Sequence, residues 1–361
     1  MNVAIYATTC GYPSGVTIAV KAWANWLLGR GHNPVVYSLR SDGSQPFPVI
    51  SPFGRSDGKA DIIYLMGAYL VEWLGIRKGR RQSIPVIWHC HTDAVMTYGI
   101  LFGPFGRIAQ KVARRMFDFA YSSSSALIVP SQYTRACLAE YGFGGDKVTV
   151  LPTPVPCQAL YGSDRPRKLL NVPAESKVVL SVGRLWREKN VGLLIRAFQL
   201  VSREIPSVYL VVVGDGYFRR GLEKMCRRLG ISDRVYFIGF LPHEIVETVY
   251  YECDLVVHAC DIESQCLIVS EAGACGKPAV VVNGGGVIEF VEHEHSGLVV
   301  EPNKEALACG MIRLLRDTEL ARQLGENNQE FVSQNLNPDV IYPQLFGICE
   351  KAIERHRGVM L

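Results

Sequence analysis

Apolar residues fall in short runs along this chain, and the runs are rich in β-branched side chains. In the first half they are VAIYA (3–7), PVVYS (34–38), DIIYL (61–65), PVIWHCH (85–91), ALIVP (126–130) and VTVL (148–151). In the second half they are VVLSV (178–182), VYLVVVG (208–214), VYFIG (235–239), DLVVHA (254–259), PAVVV (278–282) and GLVV (297–300). Between most of them lie longer stretches with helical spacing, as at 16–29, 105–120, 190–204, 217–229 and 304–316. Strand, helix, strand repeated in this way predicts an α/β fold with a doubly wound parallel sheet. The pattern runs twice.

The break falls in LPTPVPCQALYGSDRPRKLLNVP (151–173), which has five prolines and no helical period. It reads as a linker. The expected division is therefore a first Rossmann-like domain over 1–156 and a second over 157–337. The segment after NLNP (338–361) is helical in pattern and is expected to cross back to the first domain. Open α/β sheets bind ligands at the carboxyl ends of their strands, so a cleft between the domains is the default site.

Composition changes this picture little. The chain has 361 residues, 48% apolar and 20% charged, which suits a soluble protein with two cores. Eleven cysteines are scattered without a CxxC pair. That argues against a zinc ribbon or a disulfide framework and for a reducing compartment. The first residues have no basic segment followed by a long apolar one, and no stretch approaches the ~18 apolar residues of a membrane span. A cytoplasmic location is expected. Charge is more informative. Residues 1–156 carry 15 Lys+Arg against 8 Asp+Glu, a net +7, and residues 157–361 carry 23 against 26, a net −3. The basic half suits an anionic partner, or is simply rich in solvated arginine.

Five stretches can carry chemistry. In SVGRLWREKN (181–190), Gly183 turns the chain at a strand end and places Arg184 and Lys189 before a helix. Two cations there suit a diphosphate, or form a solvated loop with Glu188 as local partner. VVVGDG (211–216) leads into a basic helix and a strand ending at Gly239; its spacing says βαβ and is not a GxGxxG turn. In ESQCLIVSE (263–271), Glu263 precedes a helix and Glu271 lies about two turns on. The backbone N–H groups of 264–267 form a helix N-terminus that accepts anions. The alternative is a capping glutamate and a surface glutamate. In CGYPSGV (10–16), Gly15 lets backbone approach a phosphate at a helix start. In WHCHTD (88–93), His91 ends a strand and His89 can face the same side. No carboxylate pair of DxD type is present for a divalent ion.

In order and spacing, VGRLWREKN, VVVGDG, VYFIGFL, ESQCLIVSEAGACGKPAVVVNGGGVIEFV and HSGLVVEP resemble retaining glycosyltransferase family 4, which has the GT-B architecture. The resemblance covers roughly residues 1–335 and is densest over 178–302. It implies that Glu263 holds the hydroxyls of a donor sugar and Glu271 the ribose of a nucleotide. Arg184 and Lys189 match the pair that neutralises the donor diphosphate. Phe240 and Leu241 match the segment bordering the nucleobase, and Gly15, with Ser14 before it, the loop under the phosphates. Gln265, Cys266 and Leu267 complete the implied donor-binding set. His91 and Thr92 match a His-Thr beside the donor sugar, with Tyr12 and Ser14 on the acceptor side. The family usually reads Glu-Gly-Phe-Gly where this chain reads Glu263-Ser264-Gln265-Cys266, so two glycines are replaced.

The resemblance further implies transfer with retention from a UDP- or GDP-linked hexose, an α-linked product and no cofactor beyond the nucleotide-sugar co-substrate. Catalytic roles fall on His91, Arg184, Lys189 and Glu263, and no metal is implied. HCHTDAVMTYG and the following ILFGPFGRIAQKVARRMFDFAYSSSSALIVPS look most like the branch that glycosylates lipids. Within the latter, Ile108, Val112, Met116 and Phe119 make one helical stripe flanked by Arg107, Lys111, Arg114 and Arg115. RKGRR (77–81) adds four cations. Such a helix reads as a membrane-surface element, or as an ordinary helix whose stripe covers the sheet. Two other readings stay open: transfer to a soluble glycan, small molecule or nucleic-acid base, and a catalytically silent sugar-nucleotide-binding subunit. Nothing in the sequence calls for a protein partner.

Overall fold

Alternation along the first strands decides the layers. In the computed structural model, Val3 and Ile5 of β1 (Asn2–Tyr6) are buried in one core, while Ala4 and Tyr6 are buried in another on the opposite face. A strand buried on both faces belongs to a parallel sheet covered by helices on each side. The structure describes residues 1–8, 10, 15–41, 43, 45–54, 58–67, 70–91, 106–155, 170 and 172–359. Tyr12, Ser14, Thr92, Cys157 and most of the proline-rich segment after Val155 lie outside them.

The chain divides into two units: unit 1, Met1–Pro154 with Asp339–Leu361, and unit 2, Val155–Pro338. Unit 1 holds a seven-stranded sheet in the order β3-β2-β1-β4-β5-β6-β7. Its other strands are β2 (Asn33–Tyr37), β3 (Val49–Ile50), β4 (Ile62–Met66), β5 (Val86–His89), β6 (Ala126–Val129) and β7 (Val148–Val150), all paired in parallel. Its helices are α1 (Gly15–Gly29), α2 (Leu70–Gln82), α3 (Gly106–Ser123) and α4 (Gln132–Glu140). Trp23 and Leu27 of α1 cover one face, and Phe117 and Ala120 of α3 the other.

Unit 2 holds a six-stranded parallel sheet in the order β10-β9-β8-β11-β12-β13. The strands are β8 (Lys177–Val182), β9 (Val208–Val213), β10 (Val235–Gly239), β11 (Leu255–His258), β12 (Ala279–Val282) and β13 (Gly297–Val300). The helices are α5 (Val191–Glu204), α6 (Arg219–Leu229), α7 (His243–Glu252), α8 (Leu267–Ala274), α9 (Lys304–Arg316) and α10 (Thr318–Asn335). Leu194 and Phe198 of α5 and Met311 of α9 share a core with Leu210, Val212 and Val257. Val249 and Tyr250 of α7 cover the other face. The last helix, α11 (Pro338–Val359), packs Ile341, Tyr342 and Leu345 into the core of unit 1, where the Tyr342 ring lies 5.1 Å from Trp23. Both strand orders reverse direction beside the first strand, which opens a crevice at the carboxyl ends of β1 and β4 in one unit and of β8 and β11 in the other.

Three expectations are corrected. The run 85–91 ends as strand at His89, so His91 sits two residues beyond it. The run 208–214 ends at Val213, because Gly214 turns at φ +128°. The stripe on α3 packs inward only in part: Ile108 and Val112 are 65% and 54% exposed, Met116 is half-buried, and Phe119 is half-buried against the core. Phe117 and Ala120, on a different face, are the buried positions. Among the described residues no helix is long and apolar enough to cross a membrane.

Candidate functional site

The crevice of unit 2 is built from two loops that leave β8 and β11. Gly183 follows β8, and its N–H donates to Val213 O at 2.9 Å. Leu185 N donates to Asp215 O at 2.9 Å, and Phe218 N to Leu185 O at 3.1 Å. The VGRL and VGDG turns are thus laced together by backbone. A Cβ on Gly214 would stand 1.9 Å from Gly183 O, and one on Gly216 2.5 Å from Leu185 O. The GDG spacing, which as sequence said only βαβ, is required by this contact. Arg219 clamps the same corner, donating to Asp215 Oδ2, Glu223 Oε1 and Phe237 O, each at 2.9 Å.

After Leu185 the chain makes one 3₁₀ turn over Arg187–Lys189, and Asn190 takes a left-handed conformation (φ 50°) before α5 begins. Lys189 Nζ then donates to Glu263 Oε1 from the β11 loop, and His258 Nε2, at the end of β11, lies 3.2 Å from the same oxygen. Burial works to raise the Glu263 carboxyl, but Lys189 and His258 outweigh it and hold the group well below the usual carboxylate range. Burial likewise works to lower Lys189, and the Glu263 charge overrides it, so the ammonium is held above its ordinary value. Burial, then Glu263, pushes the Cys260 thiol up to about 12.

Glu263 is fixed from behind by a glycine run. Gly286 N donates to Glu263 O at 2.6 Å. A Cβ on Gly285 (φ +63°) would stand 2.7 Å from the backbone N and O of Glu263. Gln265 is buried, and Cys266, the N-cap of α8, is buried at φ +66°. Where the family resemblance implies a glycine, this chain adopts the glycine conformation with a cysteine.

Glu271 sits in α8, and Tyr250 Oη–H of α7 donates to its Oε2 at 2.7 Å. Burial and the Glu271 charge keep that phenol protonated. Leu267 opens α8 half-buried. Phe240, after the turn at Gly239 (φ +88°), is 52% exposed, and Leu241 is half-buried. Arg184 is not part of the buried cluster. Its side chain is exposed, stacked 4.7 Å over the Trp186 ring and 3.9 Å from Glu188.

In unit 1, Gly15 opens α1 and is exposed. His91 Nδ1 lies 3.3 Å from Thr153 Oγ1, and its ring stacks on His89 with centroids 4.0 Å apart. His89 Nδ1 meets Tyr64 Oη at 2.6 Å. Burial pushes the His91 imidazole down to about 4, so it is neutral around pH 7. At the β1–β4 crevice, Thr8 N donates to Glu72 Oε1 at 3.0 Å and Thr8 Oγ1 to Oε2 at 3.1 Å; Glu72 is buried. Sequence reasoning missed Glu72, Tyr250, His258 and the role of Gly284–Gly286. A lone histidine closing the apolar run LVVH was the available signal for His258.

Residues 54–159 match the family model described as Glycosyltransferase Family 4, and residues 163–331 the one described as Glycosyl transferases group 1. An uncharacterized glycosyltransferase of Methanocaldococcus jannaschii is 32% identical over 189 residues, 52% of this chain and 48% of that protein. An alpha-monoglucosyldiacylglycerol synthase of Streptococcus pneumoniae is 29% identical over 268 residues, 67% of this chain and 58% of that one. The aligned part of this chain thus spans less than two thirds of either relative. The crystal structure of Anabaena HepE in complex with UDP-glucose superposes with a TM-score of 0.83 at 22% identity, covering 97% of this chain and 100% of that one.

Proposed function

Because the chain belongs to the family 4, group 1 glycosyltransferases and has their GT-B fold, we propose that it is a retaining, metal-independent hexosyltransferase. It moves a hexose from a UDP- or GDP-linked donor to a hydroxyl of a membrane lipid, giving an α linkage. The observation that carries the donor reading is the buried Lys189–Glu263–His258 cluster at the β8–β11 crevice, with Glu271 held by Tyr250 one helix away. Lys189 offers an ammonium to the leaving diphosphate, and Arg184, exposed on the same loop, adds a guanidinium. Glu263 accepts from sugar hydroxyls and Glu271 from the ribose diol. Charge that builds on the leaving diphosphate is stabilised by side-chain cations, and its oxygen takes the acceptor proton. His91, neutral and buried, is assigned to the acceptor side as a hydrogen-bonding group.

The test is a donor–acceptor matrix read by mass spectrometry, with the anomer of the product assigned by NMR and chelator in a parallel arm. An α-linked hexose, formed equally with chelator, is expected. A β product, or abolition by chelator, overturns the corresponding part, and no transfer in any combination favours a silent subunit. Glu271→Ala should weaken nucleotide binding by about 1.5–3 kcal/mol, the range for a hydrogen bond to a charged group. Isothermal titration with UDP and GDP measures it.

The lipid acceptor rests on unit 1. Arg80 of α2 lies over the Phe119 ring of α3 at 5.1 Å, and Trp73 stacks on the same ring at 4.9 Å, so the two helices are neighbours. Arg77, Arg80, Arg81, Lys111, Arg114 and Arg115 are exposed on them, alongside exposed Ile108 and Val112. Near an anionic bilayer each cation contributes about 1 kcal/mol, falling off within a Debye length. Binding to acidic liposomes should therefore drop steeply with salt. Replacing Arg80, Arg81, Lys111 and Arg115 by Gln should reduce it while donor hydrolysis continues. If the wild type ignores acidic liposomes at low salt, a soluble acceptor replaces the lipid.

A further inference from the structure

We propose that His258, Glu263 and Cys266 form a site for one thiophilic divalent cation of the zinc type, and that filling it takes Glu263 from Lys189 and weakens nucleoside diphosphate binding. The coupling half rests on the donor reading above; the site itself does not. Among the described residues this is the cluster whose imidazole nitrogen, carboxylate oxygen and thiol sulfur all lie within 4.8 Å of one another. Ligand atoms on a tetrahedral zinc sit roughly 3.2–3.8 Å apart, from metal–ligand bonds of about 2.0–2.3 Å. The His258 Nε2 to Glu263 Oε1 distance, 3.2 Å, already matches, and the sulfur needs a shift of about 1 Å to join them.

Two further observations point to a ligand. His258 Nε2 is buried and satisfies no hydrogen-bond geometry, although it faces the carboxylate. When the ring proton sits on Nδ1, the Nε2 lone pair faces the site and a cation would take it. Cys266 occupies a left-handed position (φ 66°) that glycine fills without cost, whereas a side chain there is strained. The strained position puts a sulfur beside a buried histidine and a half-buried carboxylate.

The ligand set, one soft sulfur, one imidazole and one carboxylate, selects zinc-like ions over magnesium or calcium. A thiol ligates a metal ion as its thiolate. Coordination forms the S–metal bond and breaks the S–H bond, so one proton leaves to solvent per ion bound. Thiolate and carboxylate together neutralise the dication, so it offers the diphosphate no net charge. Lys189, meanwhile, loses its counter-ion and is repelled. A fourth position stays open to water. Access follows the partly exposed Glu263 and Lys189 side chains, which are 15% and 18% accessible.

The experiment titrates the metal-stripped full chain with Co²⁺ and Zn²⁺. One equivalent is expected, with a thiolate-to-cobalt absorption and release of one proton. Cys266→Gly, which fits the backbone, should stay folded by thermal unfolding. It should lose the absorption and bind at least tenfold more weakly. Saturating Zn²⁺ should weaken UDP or GDP binding at least fivefold more in the wild type than in Cys266→Gly; the comparison cancels chelation by the nucleotide itself. Absorption and affinity retained in Cys266→Gly overturn the site. Equal nucleotide weakening in both proteins overturns the coupling. If neither nucleotide binds even without metal, the donor reading falls, while the cobalt spectrum still decides the site.

Discussion

Lys189→Ala should be the most damaging single change in the donor loop, lowering both stability and nucleotide affinity. Lys189 and Glu263 are a largely buried pair, and removing one partner of such a pair costs about 3–5 kcal/mol because the other charge is stranded. His258 remains beside Glu263 and softens the loss, so the lower end of that range is expected. The pH dependence follows from both shifts. The Glu263 carboxyl is depressed, so its contribution is present above its unfolded value of about 4.3 and is lost as pH falls through the folded value. Lys189 is raised, so its contribution is present below its unfolded value of about 10.4 and is lost as pH rises through the folded one. The difference between wild type and variant should therefore be flat from about pH 5 to 9 and narrow toward acid. Urea denaturation across pH measures it. Lys189→Met combined with Glu263→Gln, which removes both charges, should recover most of the stability without restoring nucleotide binding. Wild-type stability in Lys189→Ala at pH 7 would refute the argument.

Much of the fold was legible because strands buried on both faces are continuous apolar runs, and twelve such runs fall within a residue or two of strands. The strand β3 was not legible, since two residues have no periodicity. On α3 the spacing revealed a stripe but not its direction. Period alone cannot say whether Ile108 and Val112 or Phe117 and Ala120 meet the sheet, and the structure chose the latter pair. The site divided the same way. Glu263, Glu271 and Lys189 were legible because charges at strand and helix ends interrupt apolar runs. Tyr250 was hidden among other apolar-looking positions of α7, and its partner Glu271 lies 21 residues away. The three glycines at 284–286 were not legible, because their function, to let backbone press against Asp261 and Glu263, exists only once β11 and β12 are side by side.

Gly214→Ala should destabilise unit 2 by more than about 4 kcal/mol, a size reserved for backbone strain or a clash with no relief. Both act here. Gly214 has φ +128°, where an L side chain costs about 1–3 kcal/mol by itself. Its Cβ would also stand 1.9 Å from Gly183 O, a backbone atom. That oxygen cannot withdraw cheaply, because Gly183 N is bonded to Val213 O and Leu185 N to Asp215 O, each at 2.9 Å. Any retreat shifts the turn that carries Arg184 and leads to Lys189, so nucleotide affinity should fall along with stability. Gly221→Ala is the internal control. Gly221 lies in α6 with nothing within 4 Å of its added Cβ, so the same substitution there should stabilise by roughly 0.5–1 kcal/mol through helix propensity. Urea midpoints of the two variants should move in opposite directions from the wild type. A Gly214→Ala midpoint equal to that of the wild type would mean that the VGRL and VGDG turns are not locked together, and with that the rigid presentation of Lys189 to Glu263 would lose its physical basis.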